Sequence, residues 1–223
     1  MHQSGLARTL ACLLLSALVG CGTTSSTPRN QITATPAPAG FPADFHERAA
    51  ARGEPVYRID PGASVVTLTV RRAGSLARLG HDHVVASRSV QGYVSAREGR
   101  ADLYVPLSEL SVDEPALRAQ AGLDTQPTAA DIEGTRSNMQ DKVLRVQEFP
   151  YALVQVRGVD AQALAAGRAQ ATVSVTLLGR SRSSTVPLEL VSTVQRLGAR
   201  GTLELKQTDF GIPPFSILCR AVP

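Results

Sequence analysis

From Tyr57 onward, apolar residues recur at every second position, a period that few folds can use. Val66, Leu68 and Val70 alternate with Val65, Thr67 and Thr69. Leu103, Val105 and Leu107 share one parity, and Val173, Val175 and Leu177 alternate with Thr172, Ser174 and Thr176. Val186, Leu188 and Leu190 flank Pro187 and Glu189, and Leu203 and Leu205 flank Glu204. Such alternation marks antiparallel strands with one dry and one wet face. Turn chemistry separates them at Arg97-Glu98-Gly99-Arg100, Ala165-Ala166-Gly167-Arg168, Leu178-Gly179-Arg180 and Leu197-Gly198-Ala199-Arg200. Eight strands are expected, near 63–72, 84–96, 100–108, 150–158, 168–178, 183–194, 199–207 and 215–222. Eight antiparallel strands joined by short turns predict an all-β, up-and-down barrel, which leaves no exposed edge.

Between Ser108 and Pro150 the period changes. Asp113 to Leu123 and Thr128 to Leu144 hold helix formers, and Thr128-Ala129-Ala130-Asp131 resembles a capping box. Ile132, Met139, Val143 and Leu144 make an apolar stripe. A helical insertion around 110–145, crossing one end of the barrel, is expected.

The first residues read as a targeting segment. Arg8 precedes a short apolar run, Leu10 to Val19, too short to span a bilayer core of about 30 Å. The run ends in Leu18-Val19-Gly20-Cys21, which resembles a bacterial lipoprotein box. That resemblance implies cleavage after residue 20 and acylation of Cys21 with palmitate-type chains. Gly22 rather than aspartate follows, so the expected location is the periplasmic face of the outer membrane. Several acyl chains on one cysteine anchor stably, each buried methylene contributing about 0.8 kcal/mol. With Cys12 removed and Cys21 acylated, Cys219 is left as the one thiol, which excludes an intrachain disulfide or a cysteine-based zinc site. Residues 21–54 are rich in Thr, Ser, Pro and Ala and read as a flexible tether, with Phe41, Phe45 and His46 able to dock or form a short turn of helix. The barrel domain is assigned to 55–223.

The net charge of +4 comes from scattered arginines, and only 4% of residues are aromatic. Nucleic-acid binding wants clustered basic residues with aromatics between them, so no nucleic-acid partner is expected.

The folded region holds two adjacent histidines, in Gly80-His81-Asp82-His83-Val84. On a strand His81 and His83 share a face and Asp82 takes the other. If Val84, Val90 and Val94 face inward, Asp82 points in and both histidines point out; a bulge near Gly80 would reverse that. In the outward arrangement Asp82 closes a corner by holding a backbone amide or Arg88. A His-x-His pair can also supply two ligands to a divalent metal, with a carboxylate such as Glu98, Asp113 or Asp209 as the third. Catalysis is not expected. Ser75 lies near the histidines, but there is no Gly-x-Ser-x-Gly elbow, and Asp209 in Thr208-Asp209-Phe210-Gly211 lacks the loops a kinase needs.

The opening Tyr57-Arg58-Ile59-Asp60-Pro61, the block Met139-Gln140-Asp141-Lys142-Val143-Leu144 before Phe149-Pro150, the turn Leu177-Leu178-Gly179-Arg180-Ser181 and the closing Thr208-Asp209-Phe210-Gly211-Ile212 together resemble the YceI-like family. Gln207 stands where members often carry arginine, and the His81–His83 segment is outside the family's general pattern. The resemblance implies a secreted, lipocalin-like eight-stranded barrel, non-enzymatic, of a kind that binds polyisoprenoid or fatty-acid-like lipid. The expected cavity wall is Val66, Leu68, Val70, Val105, Val154, Val173, Val175, Val186, Leu188 and Phe210, with His81, Asp82 and His83 at the mouth holding a polar head. The expected partners are a lipid and, through the acyl anchor, a membrane, with no cofactor otherwise. The alternatives are a metal site on His81 and His83 and a structural adaptor for a protein partner. Sequence does not address the oligomeric state.

Overall fold

The computed structural model describes residues 37–72, 81–123, 125–193 and 196–213. The expected signal segment, Cys21, Ser75, the strand at 215–222 and Cys219 lie outside these residues. Among them one antiparallel sheet has the spatial order β1 (Val56–Arg58), β4 (Gln91–Ser95), β5 (Arg100–Pro106), β7 (Tyr151–Arg157), β8 (Arg168–Leu177), β9 (Arg180–Ser192) and β10 (Leu197–Gly201). A second sheet has the order β2 (Val66–Val70), β3 (His83–Ser87) and β6 (Ser111–Val112). Apart from β1 and the excursions of β2, β3 and β6, the large sheet is a meander, and it curls as lipocalin-like sheets do. The expected all-β antiparallel class holds. β8 and β9 are joined by the two-residue turn Leu178-Gly179, both with positive φ, as the twist of a tight hairpin requires.

The helical insertion is where the change of period places it. α2 (Pro115–Gln120) and α3 (Ala129–Asn138) fall between β6 and β7, and α3 runs on into a π-helical turn, Met139–Val143. Thr128 caps α3: its hydroxyl accepts from Asp131 N–H and Asp131 accepts from Thr128 N–H, the expected reciprocal pair.

Opposite residues of an antiparallel pair share a face, so the register defines the dry side of the large sheet. Leu103, Val154 and Val175 form one cross-strand row, and Ala101, Val156 and Val173 the next. Val105, Val173, Val175 and Val186 are buried there, under Leu107, Leu110, Leu144, Phe210 and Ile212, with Val85 and Val112 of the second sheet. Ile132, Met139 and Val143 pack on this cluster, so the apolar stripe of the insertion does close part of the trough.

Gly92 sits in this face with φ +140°, and a Cβ there would stand 2.2 Å from the carbonyl oxygen of Asp102. The obstacle is backbone and cannot swing away. Gly92→Ala is expected to destabilise the domain by about 2–3 kcal/mol, read from urea midpoints, because it forces β4 off β5. An unchanged midpoint would contradict the close approach.

Several boundaries differ from expectation, among them that of the strand expected over 199–207, which starts at Leu197 and ends at Gly201. The strand expected over 84–96 is two, β3 and β4, in different sheets; at the break Ser89 N–H donates to Ser87 Oγ rather than to a ladder. The short strands β1 and β6 were not expected, since two or three residues carry no period. α1 (Ala43–Ala51) is a docked helix inside the segment that composition reads as tether.

Candidate functional site

The second sheet presents an apolar face that begins inside the core and runs out of it. Its register sets Val112 opposite Val85, Val85 opposite Leu68, Val66 opposite Ser87 and Val70 opposite His83. Val85 and Val112 belong to the core cluster, whereas Val66, Leu68 and Val70 remain 36%, 41% and 47% exposed. β2 is the end strand of its sheet among the described residues. Leaving apolar surface in water forgoes about 25 cal/mol per Å², and contiguous exposed patches mark sites where something else binds. Of the other expected cavity residues, Val105, Val173, Val175, Val186 and Phe210 are buried in the protein's own core, while Val154 and Leu188 are half-buried against it. The apolar wall is therefore divided: part is filled from within, and β2 is not.

This uncovered lane ends at His83. The ring donates from Nδ1 to Asp113 Oδ2 at 2.6 Å. Asp113 Oδ1 accepts from Val84 N–H at 3.0 Å and from Arg118 Nη1 at 2.6 Å. Arg118, itself buried, also donates to the carbonyl of Asp82 and to Thr125, which ties β3, the start of α2 and the α2–α3 connection together. Asp113 adopts φ +56°, a left-handed conformation that asparagine and aspartate tolerate better than most side chains. Burial would push its carboxyl up, but the bonds from His83, Val84 N–H and Arg118 outweigh burial and hold it below the usual carboxylate range. An ionised Asp113 can only accept, so Nδ1 carries the hydrogen, and in the neutral form of the ring it is then Nε2 that accepts. Nε2 has no protein partner among the described residues. His81 stands beside it, exposed, with ring centroids 6.4 Å apart.

Asp82 takes the other side, accepting from Arg72 N–H at 2.8 Å and pairing with Arg71, and its carboxyl is lowered chiefly by that backbone bond. The backbone-amide role expected for it is thus filled by Arg72; Arg88 pairs with Glu114 instead. Parity could not assign these faces, because β3 is buried on both: Val84, Val85 and Ala86 are all core. Asp113, one of the carboxylates considered as a third metal ligand, spends its oxygens on His83, Val84 and Arg118. No group of three His, Cys, Asp or Glu among the described residues is arranged to hold a metal.

Open volumes lie on the large sheet and beside Asp113. One, about 590 Å³, lies along β8, β9 and β10 and is lined by Ala169, Pro187 and Leu188 with Arg168 and Arg200 at its border. The other, about 160 Å³, is lined by Asp113, Arg118, Leu123, Gln126 and Ile132, next to a buried Arg118 Nε that has no hydrogen-bond partner.

The family model for the YceI-like domain matches residues 57–219, which includes β2, the His83 corner and the whole meander. The chain belongs to the YceI-like family. Among solved structures it is similar to a polyisoprenoid binding domain from Saccharophagus degradans implicated in plant cell wall breakdown, at 14% identity and TM-score 0.46, covering 66% of this chain and 75% of that one. It is also similar to BcnA of Burkholderia cenocepacia, at 13% identity and TM-score 0.42, covering 66% and 80%. No curated protein matches its sequence.

Outside the matched range, α1 is pinned to the wet face of this YceI-like sheet by a cluster whose sheet partners sequence reasoning missed. His46 is 1% exposed; its Nδ1 contacts Ser95 Oγ at 2.8 Å and its Nε2 contacts Asp102 Oδ2 at 2.9 Å. Asp102 also accepts from Arg100, Arg157 and Gln155. Phe41 packs edge-on to Tyr104, Tyr93 stacks on His46, and Arg100 lies over the Phe45 ring. The one available signal was Phe41, Phe45 and His46 spaced within a turn or so of one another in an otherwise small-residue segment.

Burial depresses the His46 pKa, and Asp102 only partly offsets this. A depressed folded-state pKa means that the unfolded chain takes up the proton first. The stability His46 contributes is therefore complete above the ordinary value of 6.5 and declines as pH falls below it. Protection factors of the α1 amides, the intrinsic exchange rate at each pH divided by the observed rate, are expected to fall between about pH 7 and 5 in the native protein and to lose that pH dependence in His46→Gln. A slope unchanged by the substitution would remove His46 as its source.

Proposed function

We propose that this protein is a non-enzymatic carrier of a long apolar lipid, isoprenoid or fatty-acid-like, held on the uncovered face of β2. The observation that carries this reading is the row Val112, Val85, Leu68, whose first two members are core and whose last lies open. A ligand chain laid along Val66, Leu68 and Val70 continues the core outward, gaining about 0.8 kcal/mol per buried methylene before ordering costs. The ligand class expected from the family resemblance is of the same kind. The lipoprotein box at Cys21 supports an acyl anchor, and Gly22 supports the periplasmic face of the outer membrane as the place of work.

A long-chain fluorescent fatty-acid probe titrated into the purified protein is expected to bind with 1:1 stoichiometry. Leu68→Lys, at an exposed position, should leave the fold intact and weaken binding at least tenfold. Binding that Leu68→Lys leaves unchanged, or no binding, overturns the proposal. Labelling of cells with a palmitate analogue tests the anchor, with Cys21→Ser expected to abolish incorporation.

A further inference from the structure

We propose that the ligand is a long-chain alcohol, and that His83 Nε2 accepts the hydrogen bond of its terminal hydroxyl; this rests on the lipid-carrier reading and names the ligand's head. The register is the first ground. Val70 and His83 are opposite residues and so project from one face, which sets the imidazole beside the last residue of the lane of Val66, Leu68 and Val70. That lane is about 13 Å long at the strand's rise, with Val66, Leu68 and Val70 exposed along it and a polar ring beside one end.

The second ground is the way the ring is held. Asp113 is buried, fixed by Val84 N–H and Arg118, and set in a left-handed conformation that places its carboxylate behind His83. A carboxylate that can only accept keeps the hydrogen on Nδ1. The His83 side chain is 18% exposed while that of Asp113, bonded to Nδ1, is fully buried, so the exposed part of the ring lies away from Nδ1. A ring held in this orientation, its neutral form accepting at Nε2 beside the end of an apolar lane, suits a chain whose last group donates. It does not distinguish a plain hydrocarbon from an ether, because neither can donate. Asp113 is the positioning residue in this arrangement: it touches no ligand and acts by choosing the tautomer.

The test compares hexadecan-1-ol with hexadecyl methyl ether, which has the same chain and no donor, by competition against the fluorescent probe on the full-length protein. The alcohol is expected to bind about tenfold tighter than the ether. In His83→Phe the ratio should fall to one with the ether's affinity within about threefold of wild type. Asp113→Asn provides a second arm. An asparagine amide can donate to Nδ1, which moves the hydrogen to Nε2 and should likewise erase the preference while the fluorescent probe still binds. Equal binding of alcohol and ether to the native protein, or a preference that survives both substitutions, overturns the head assignment and leaves the carrier reading standing. Failure of both compounds and the probe to bind overturns the carrier reading itself.

Discussion

Asp113→Ala is expected to cost about 3–5 kcal/mol of stability, the range seen when one partner of a buried ion pair is removed. Three donors lose a hydrogen bond at once: His83 Nδ1, Val84 N–H and Arg118 Nη1, which keeps the Asp82 carbonyl. Arg118 is the critical one, since it is buried and its Nε already lacks a partner. Alanine at φ +56° adds backbone strain of about 1 kcal/mol or more. Asp113→Gly separates the two effects. It loses the carboxylate but not the conformation, so it should sit about 1 kcal/mol above the alanine variant and well below wild type. Urea denaturation of the three proteins checks this order. Alanine and glycine variants of equal stability would mean that the conformation carries no strain.

Asp102→Ala is expected to be similarly costly, about 3 kcal/mol, with a different signature. Asp102 is the common acceptor for His46, Arg100, Arg157 and Gln155, and it lies under α1. Removing it leaves two guanidinium groups facing each other across the site, so α1 should come off the sheet before the rest unfolds. Protection of the α1 amides should vanish in this variant while that of β7 and β8 persists; simultaneous loss everywhere would show that the helix is not a separable unit. Burial raises the Asp102 carboxyl, but the bonds from Arg100, Arg157 and His46 prevail and hold it below its ordinary value, as the partners of Asp113 do there. Both groups thus contribute stability that is present above the ordinary value of 3.8 and lost as pH falls through their lower folded values.

The strands of the large sheet were legible because each has one wet face. In β8, Thr172, Ser174 and Thr176 face water while Val173 and Val175 face the core, and period two states this directly. The cap of α3 was legible for a similar reason, since Thr128 and Asp131 solve a purely local problem. What could not be read was which sheet a strand joins. β2 and β8 have the same alternation, yet one lies open and the other is packed, because that depends on residues far along the chain. At the histidine corner, the sequence singles out His81, Asp82 and His83, and the fold gives partners to Asp82 and His83. It does not reveal that Asp113 stands behind His83, because the left-handed turn that brings it there depends on its hydrogen bonds to β3 and α2. α1 was legible only as Phe41, Phe45 and His46, three residues able to dock, because its anchorage is polar and aromatic while its neighbourhood has the composition of a linker.

A photoactivatable probe tests the claim that β2 is a lipid's resting place most directly. The purified protein, loaded with a long-chain alcohol carrying a diazirine at mid-chain, is irradiated, digested and sequenced by mass spectrometry. Label should concentrate on Val66, Leu68 and Val70 and disappear when unlabelled alcohol competes. Label spread over the wet faces of β8 and β9, or confined to the cleft around Ala169 and Leu188, would contradict it.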